Sequence, residues 1–212
     1  MKIEQTSDGL NRCWWCTATE QYIAYHDDDW GVPTADDRTL FEKITLESFQ
    51  SGLSWRTILE KRDGFRRGFA NFDIATVAQF DEADIDRLLN DTGIVRHRGK
   101  ITATINNANR ALEAIATHGS LAAFLWSFAD PNDLGSGTVQ RGTSPAAEAM
   151  SKAMKKLGWK FVGPTTAYAF MQATGMVNDH VEGCHHRAIS AAAIAGFTRP
   201  SSTEPARRTV PD

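Results

Sequence analysis

The chain has 212 residues, 42% apolar and 23% charged, with a formal net charge of −3, a composition that fits one soluble domain or two lobes sharing a core. No apolar run approaches the roughly 20 residues a membrane helix needs, and the opening MKIEQTSDGL has no signal-peptide apolar region. Three cysteines, an odd number, argue against a disulfide framework. A cytoplasmic protein without a membrane role is expected, its thiols free or bound to metal. The mild acidity neither advertises nor excludes nucleic acid, because local patches set the field that a phosphate backbone meets.

In chain order, RCWWCTATEQYIAYHDDDW (Arg12 to Trp30) crowds two cysteines and a histidine among Trp and Tyr rings. Asp36 to Ser51 reads as an amphipathic helix, with Leu40, Phe41, Ile44 and Ser48 at helical spacing and Asp36–Asp37 at its positive end. Gly52 ends it, and Ser54 caps the next helix, SWRTILEKRDGF, with Trp55, Ile58 and Leu59 inward. Short helices follow at DIATVAQF and DEADIDRLLND. The second of these and KITATINNANRAL flank a tight turn in which Gly93 is expected at positive φ. SLAAFLWSF is a short buried helix, and 130–143 is a Gly-, Ser- and Asn-rich loop. Ser144–Pro145 starts a helix that puts Lys152, Lys155 and Lys156 on one face, and PTTAYAFMQATG is a further helix closed by Gly175. From Thr198 the composition is that of a disordered tail. Runs with period two are few, so the chain reads as all-α, built of short helices without repeats.

A structural metal needs about four soft or borderline ligands. Cys13, Cys16 and His26 stand near the start, and HVEGCHH near the end supplies His180 and Cys184, about one helical turn apart. The partner of that pair is Cys13 with His26, or Cys13 with Cys16. Glu47 shares the stripe of Leu40 and Ile44, so it either turns out to solvent at the helix end or serves as a site carboxylate whose burial has a use. In the GLSW that follows, Leu53 is either a core residue or an exposed wedge of the kind that enters duplex DNA.

Together, YIAYHDDDWGVP, LESFQSGLSWRTILEKR, FDIATVA, TGIVRHRGKI, FLWSF, SKAMKKLGWKFVG and VNDHVEGC resemble, in order, the blocks of the bacterial 3-methyladenine DNA glycosylase I family. The resemblance runs from about Asn11 to His186. It implies a helix-hairpin-helix glycosylase fold in which a zinc-stapled lobe joins the two chain ends. It also implies a single catalytic unit over 11–187 and excision of 3-methyladenine, with 3-methylguanine as a further candidate, from double-stranded alkylated DNA; residues 188–212 are left as an extension, which by its composition is expected to be disordered after 197.

The resemblance chooses Cys13, His26, His180 and Cys184 as ligands of one structural Zn2+ and leaves Cys16 outside. The family's pocket acid falls on Glu47, and its rings fall on Trp15, Tyr22, Tyr25, Trp30 and Trp55. Trp14 stands where the family pattern has a small residue. Gly52, Leu53 and Ser54 match the loop that probes the gap left by a flipped nucleotide. The hairpin, with Thr92, Gly93, Val95, Arg96, Arg98 and Lys100, is expected to meet phosphates without reading sequence. Superfamily relatives place an Asp in the helix after the hairpin, whereas KITATINNANRALEAIAT has only Glu113 as an acid. The hairpin also lacks the lysine that a Schiff-base lyase needs, so a monofunctional hydrolase without lyase activity is expected, acting as a monomer without an obligate protein partner. A zinc-containing DNA-binding module without chemistry is the alternative.

Overall fold

The computed structural model describes residues 2–133 and 135–202. Among these, two short strands, β1 (Ile3–Gln5) and β2 (Asn11–Cys13), pair antiparallel with Ile3 opposite Cys13; the rest of the regular structure is helical. The all-α reading thus holds for everything but this hairpin. Its three-residue strands are too short to show alternation, and it closes because Thr6 and Asp8 bond the turn at Leu10.

The helices are α1 (Glu20–Asp28), α2 (Asp37–Gln50), α3 (Trp55–Glu60), α4 (Arg62–Gly68), α5 (Ile74–Val77), α6 (Glu82–Asn90), α7 (Arg98–His118), α8 (Leu121–Trp126), α9 (Pro145–Lys156), α10 (Pro164–Ala173) and α11 (His186–Gly196). Side-chain caps set most starts: Thr19 for α1, Asp36 for α2, Ser54 for α3, Asp81 for α6, Ser120 for α8 and Ser144 for α9. Asp36 caps its own helix, whereas Asp37 accepts the Leu121 and Ala122 amides and joins in capping α8. SWRTILEKRDGF, read as one helix, breaks at Lys61 into α3 and α4. Next comes an unforeseen left-handed turn, with Ala70, Asn71 and Phe72 at φ 50°, 51° and 56°.

Helix α2 is the axis of the molecule. Every residue from Leu40 to Phe49 is buried, and α3, α7, α8 and α10 pack around it. Its charged residues are therefore paired or put to use. Glu42 takes Arg62 and Arg66, while Lys43 bonds Asp29 and the Ala173 carbonyl. On its apolar side, Phe49 packs edge-on against Phe65 at 4.7 Å in a Phe-rich core.

Helices α6 and α7 form a hairpin whose turn rests on α4. Gly93 is not at positive φ. What the turn requires there is close approach: a Cβ on Gly64 would lie 2.1 Å from the Gly93 carbonyl oxygen, and Lys61 donates to the Thr92 carbonyl at 2.7 Å. At the far end, α11 packs onto the body through Ser190, which donates to the Gly31 carbonyl, and through Phe197 against Trp126. The chain is therefore regular and attached past residue 187, where the extension was expected to begin. Of the expected tail, residues 203–212 lie outside the described residues.

Gly64→Ala is expected to destabilise the fold by about 1–3 kcal/mol with loss at the hairpin first, measured by thermal melting and amide exchange at 91–97. An unchanged melting temperature would mean that the contact yields freely.

Candidate active site and candidate metal centre

Two sites share a wall where α1, α2 and the 177–185 loop converge. In the first, β2 delivers Cys13, α1 delivers His26, and the loop delivers His180 and Cys184; their ligating atoms all lie within 4.8 Å of one another, and all four residues are buried. His180 and Cys184 are spaced by a loop turn rather than by a helix: Cys184 N–H bonds the Val181 carbonyl, with Gly183 at φ 87°.

The measured edges are 3.1 Å (His26 Nε2 to His180 Nδ1), 3.5 Å (Cys184 Sγ to His26 Nε2) and 3.9 Å (each sulfur to His180 Nδ1). A tetrahedron at ordinary Zn–N and Zn–S distances has edges of about 3.3–3.8 Å, so two thiols and two imidazoles fit a borderline metal ion. The support behind them fits as well. His26 Nδ1 lies 2.7 Å from Asp27, which Arg12 grips through Nε and Nη2, leaving Nε2 turned to the cluster. Cys16, though buried, bonds the Cys13 carbonyl and stands outside the cluster.

The second site is a cavity of about 330 Å³. All six residues expected of a base pocket (Trp15, Tyr22, Tyr25, Trp30, Glu47 and Trp55) line it. Their rings interlock, with Trp15 5.0 Å from Trp30 and 5.2 Å from Tyr22, and Tyr25 5.2 Å from Trp55. Trp30 also stands edge-on to His180 at 4.6 Å, so one wall serves both sites. Asp29, bonded by Lys43 and Arg62, pins the chain just before Trp30.

Glu47 enters from the last turn of α2. It is 5% exposed, no hydrogen bond from the described residues steadies its charge, and burial pushes its pKa up to about 8 against the pull of Lys43. A carboxyl that cost stability as a mere helix residue thus sits among aromatic faces, where a cationic or amino-bearing ring restores what desolvation removed.

Several lining residues were not foreseen. Trp14, half-exposed at 46%, lies at the mouth. Gln140 and Arg141 come from the 130–143 loop, and Gln172 comes from α10. Asp179, beside His180, accepts from Tyr168, Gln172 and the Ser136 amide and lies 3.5 Å from Arg141, tying that loop to the pocket. VNDH carried the signal for Asp179, but only the folded loop shows its use.

The expected DNA-facing residues divide. Gly52 (φ 80°), Leu53 (41% exposed) and Ser54 form a protruding turn. Thr92, Arg96 and Arg98 are exposed, Val95 packs on the core, and Arg98 pairs with Glu82 and Asp86. The Gly93 amide donates to Asp91 at 2.7 Å. Lys100 corrects the expectation: it is 7% exposed and does not face phosphate. Its ammonium donates to the carbonyls of Phe49 (2.8 Å) and Ser51 (2.6 Å), because the end of α2 leaves carbonyls that a buried cation can satisfy.

Fold and site define a helical protein with an aromatic, carboxylate-bearing pocket beside a Cys/His cluster, and the comparisons give that class its family. The family model described as Methyladenine glycosylase matches residues 15–188, and the chain belongs to this family. It is 48% identical over 179 residues to DNA-3-methyladenine glycosylase 1 of Escherichia coli, covering 82% of this chain and 96% of that protein. Against DNA-3-methyladenine glycosylase of Haemophilus influenzae the identity is 40%, with 82% and 96% covered. A crystal structure of 3-methyladenine DNA glycosylase I matches with a TM-score of 0.77 and 49% identity, covering 82% of this chain and 98% of that one. A Tyr-to-Phe variant of 3-methyladenine DNA glycosylase I in complex with 3-methyladenine matches with a TM-score of 0.78 and 34% identity, covering 91% and 99%.

Glu47 gives a pH test. Its folded pKa of about 8 lies above the ordinary 4.5, so its contribution to stability is fully present below about pH 4.5 and is lost as pH rises through about 8. Glu47→Gln should raise the melting temperature at about pH 9 and change it little at about pH 5; an equal shift at both would refute the assignment.

Proposed function

We propose that this chain is a monofunctional DNA glycosylase of base-excision repair that hydrolyses the N-glycosidic bond of 3-methyladenine, with 3-methylguanine as a further candidate, in alkylated duplex DNA. The observation that carries the reading is Glu47, buried inside a box of aromatic rings with its pKa raised to about 8. The damaged base must leave the duplex to reach such a cavity. Methylation at N3 gives the base a positive charge, which the π-faces of Trp15, Tyr22, Tyr25, Trp30 and Trp55 attract, while the Glu47 carboxylate accepts from the exocyclic amine.

The charge has already weakened the bond to the sugar. The C1′–N9 bond breaks with its electron pair passing to the ring, so the base leaves neutral; water then adds to C1′ and loses its proton to solvent. A leaving group of this kind needs little help from a general base. Among the described residues no lysine amine stands in the cavity to attack C1′, in keeping with hydrolysis alone.

Leu53, on its Gly52–Ser54 turn, is assigned the gap left by the extruded nucleotide. The α6–α7 element is assigned as a helix-hairpin-helix, with Thr92, Gly93, Val95, Arg96 and Arg98 set against the phosphate backbone. We assign Cys13, His26, His180 and Cys184 to one structural Zn2+, which would hold the chain ends together and carry no step of the reaction. The catalytic unit spans 11–187 and acts as a cytoplasmic monomer without an obligate protein partner.

Methylated DNA incubated with the protein should release free 3-methyladenine, and Glu47→Ala should lower kcat/KM by about tenfold or more while keeping its melt cooperative. Tight binding without release would favour a DNA-binding module instead. Metal analysis should find about one zinc per chain, retained in Cys16→Ser and lost in Cys184→Ser; the reverse pattern would make Cys16 a ligand.

A further inference from the structure

The stretch WKFVG, between α9 and α10, has no part in either site. Trp159 and Val162 are buried in the core, but Phe161 between them is 42% exposed and holds φ at +54°. An apolar ring in water is tolerable, and so is an occasional left-handed residue; both at one bulky side chain is a cost the neighbours must enforce.

They do enforce it. Asn107 clamps the Lys160 backbone from both sides, its Oδ1 accepting the Lys160 amide at 2.8 Å and its Nδ2 donating to the Lys160 carbonyl at 2.9 Å. Ser151 fixes the Val162 carbonyl at 2.7 Å. Phe161 is thus suspended between two pinned residues and turned outward. Its ring meets His97, the cap of α7, edge-on at 6.3 Å, and lies against Gly99, where even an added Cβ would approach within 4.0 Å.

The direction in which it points suggests an occupant. The first turn of α7 anchors two exposed apolar tips: Lys100 holds the loop of Leu53 through Ser51, and His97 with Gly99 supports Phe161. Close to Phe161 in sequence, Lys155, Lys156 and Lys160 are exposed, and none is ion-paired among the described residues. An exposed aromatic face beside the hairpin, with three free cations close in sequence, suits a sugar-phosphate strand. We propose that Phe161 is a second contact point for duplex DNA, its ring seated on the deoxyribose backbone beside α7 while Lys155, Lys156 and Lys160 meet neighbouring phosphates.

The inference rests on the glycosylase reading, and its test separates the two. Phe161→Gly removes the ring and also relieves the backbone, so it should raise the melting temperature. In the full-length protein it should also weaken affinity for a duplex carrying a tetrahydrofuran abasic site about tenfold. KM for methylated DNA should rise by a similar factor with kcat little changed, while free 3-methyladenine, followed by tryptophan fluorescence, binds as before. Phe161→Tyr should retain wild-type DNA affinity. Unchanged duplex affinity in Phe161→Gly would overturn the proposal, as would a lowered melting temperature with loss of free-base binding, the pattern of a residue that only supports the fold. A wild-type protein that releases no base would instead sink the glycosylase reading, and duplex affinity would still judge Phe161.

Discussion

The ammonium of Lys100 on the carbonyls of Phe49 and Ser51 fixes the geometry on which the rest depends. It joins the first turn of α7 to the last turn of α2, and three features hang from that joint. Glu47 sits one turn back on α2, facing the cavity; the Gly52–Ser54 turn leaves α2 just beyond; and the α6–α7 hairpin approaches from the other side. Burial itself lowers the pKa of this ammonium, and a free buried cation would be costly. Two carbonyl acceptors that the helix end leaves unsatisfied offset that cost. The aromatic cavity, the Gly52–Ser54 turn and the α6–α7 hairpin are therefore joined at one point.

The Cys/His cluster performs a parallel task at the chain ends. Cys13 and Cys184 come from segments far apart in sequence, and between them stand His26 and His180, whose rings touch Trp15 and Trp30. A metal ion bound here would hold the aromatic wall as well as the two chain segments. The buried ion network of Asp29, Lys43, Arg62 and Glu42 braces the same wall from behind. Because it joins α1, α2 and α4, its charges are each satisfied by a partner from another element, the condition under which buried ions are tolerable.

Much of this was legible in the sequence where a local rule governs. Asp36, Ser54 and Ser144 are side-chain caps whose meaning lies within a few residues, and the helices they start lie where periodicity puts them. The six pocket residues were legible too, through motif blocks rather than periodicity. What escaped depends on distant partners. Lys100 looks like a surface cation until α2 ends beside it, and Gly93 looks like a positive-φ turn until Gly64 is seen pressing on its carbonyl. Helices α1 and α11 were missed because aromatic and polar residues blur the stripe of the first, while the alanine-rich second has an apolar pattern that points nowhere in particular. Asp179 bonds across loops that no sequence window contains.

Three unfavourable features lie around the joint of α2 and α7. Glu47 is buried with only the pull of Lys43 against its desolvation, Leu53 is left in water, and Phe161 is held left-handed. Each departs from what the fold alone would choose, and each is fixed by groups that are well satisfied themselves: Lys100 for the Leu53 turn, the core face of α2 for Glu47, Asn107 and Ser151 for Phe161. Strain or desolvation that persists against a well-packed background marks where a protein is built to meet something else. On the proposed function, a cationic ring would answer the first cost, an emptied base stack the second and a sugar-phosphate backbone the third. One alkylated duplex would supply all three, and the three costs would then be met in a single binding event.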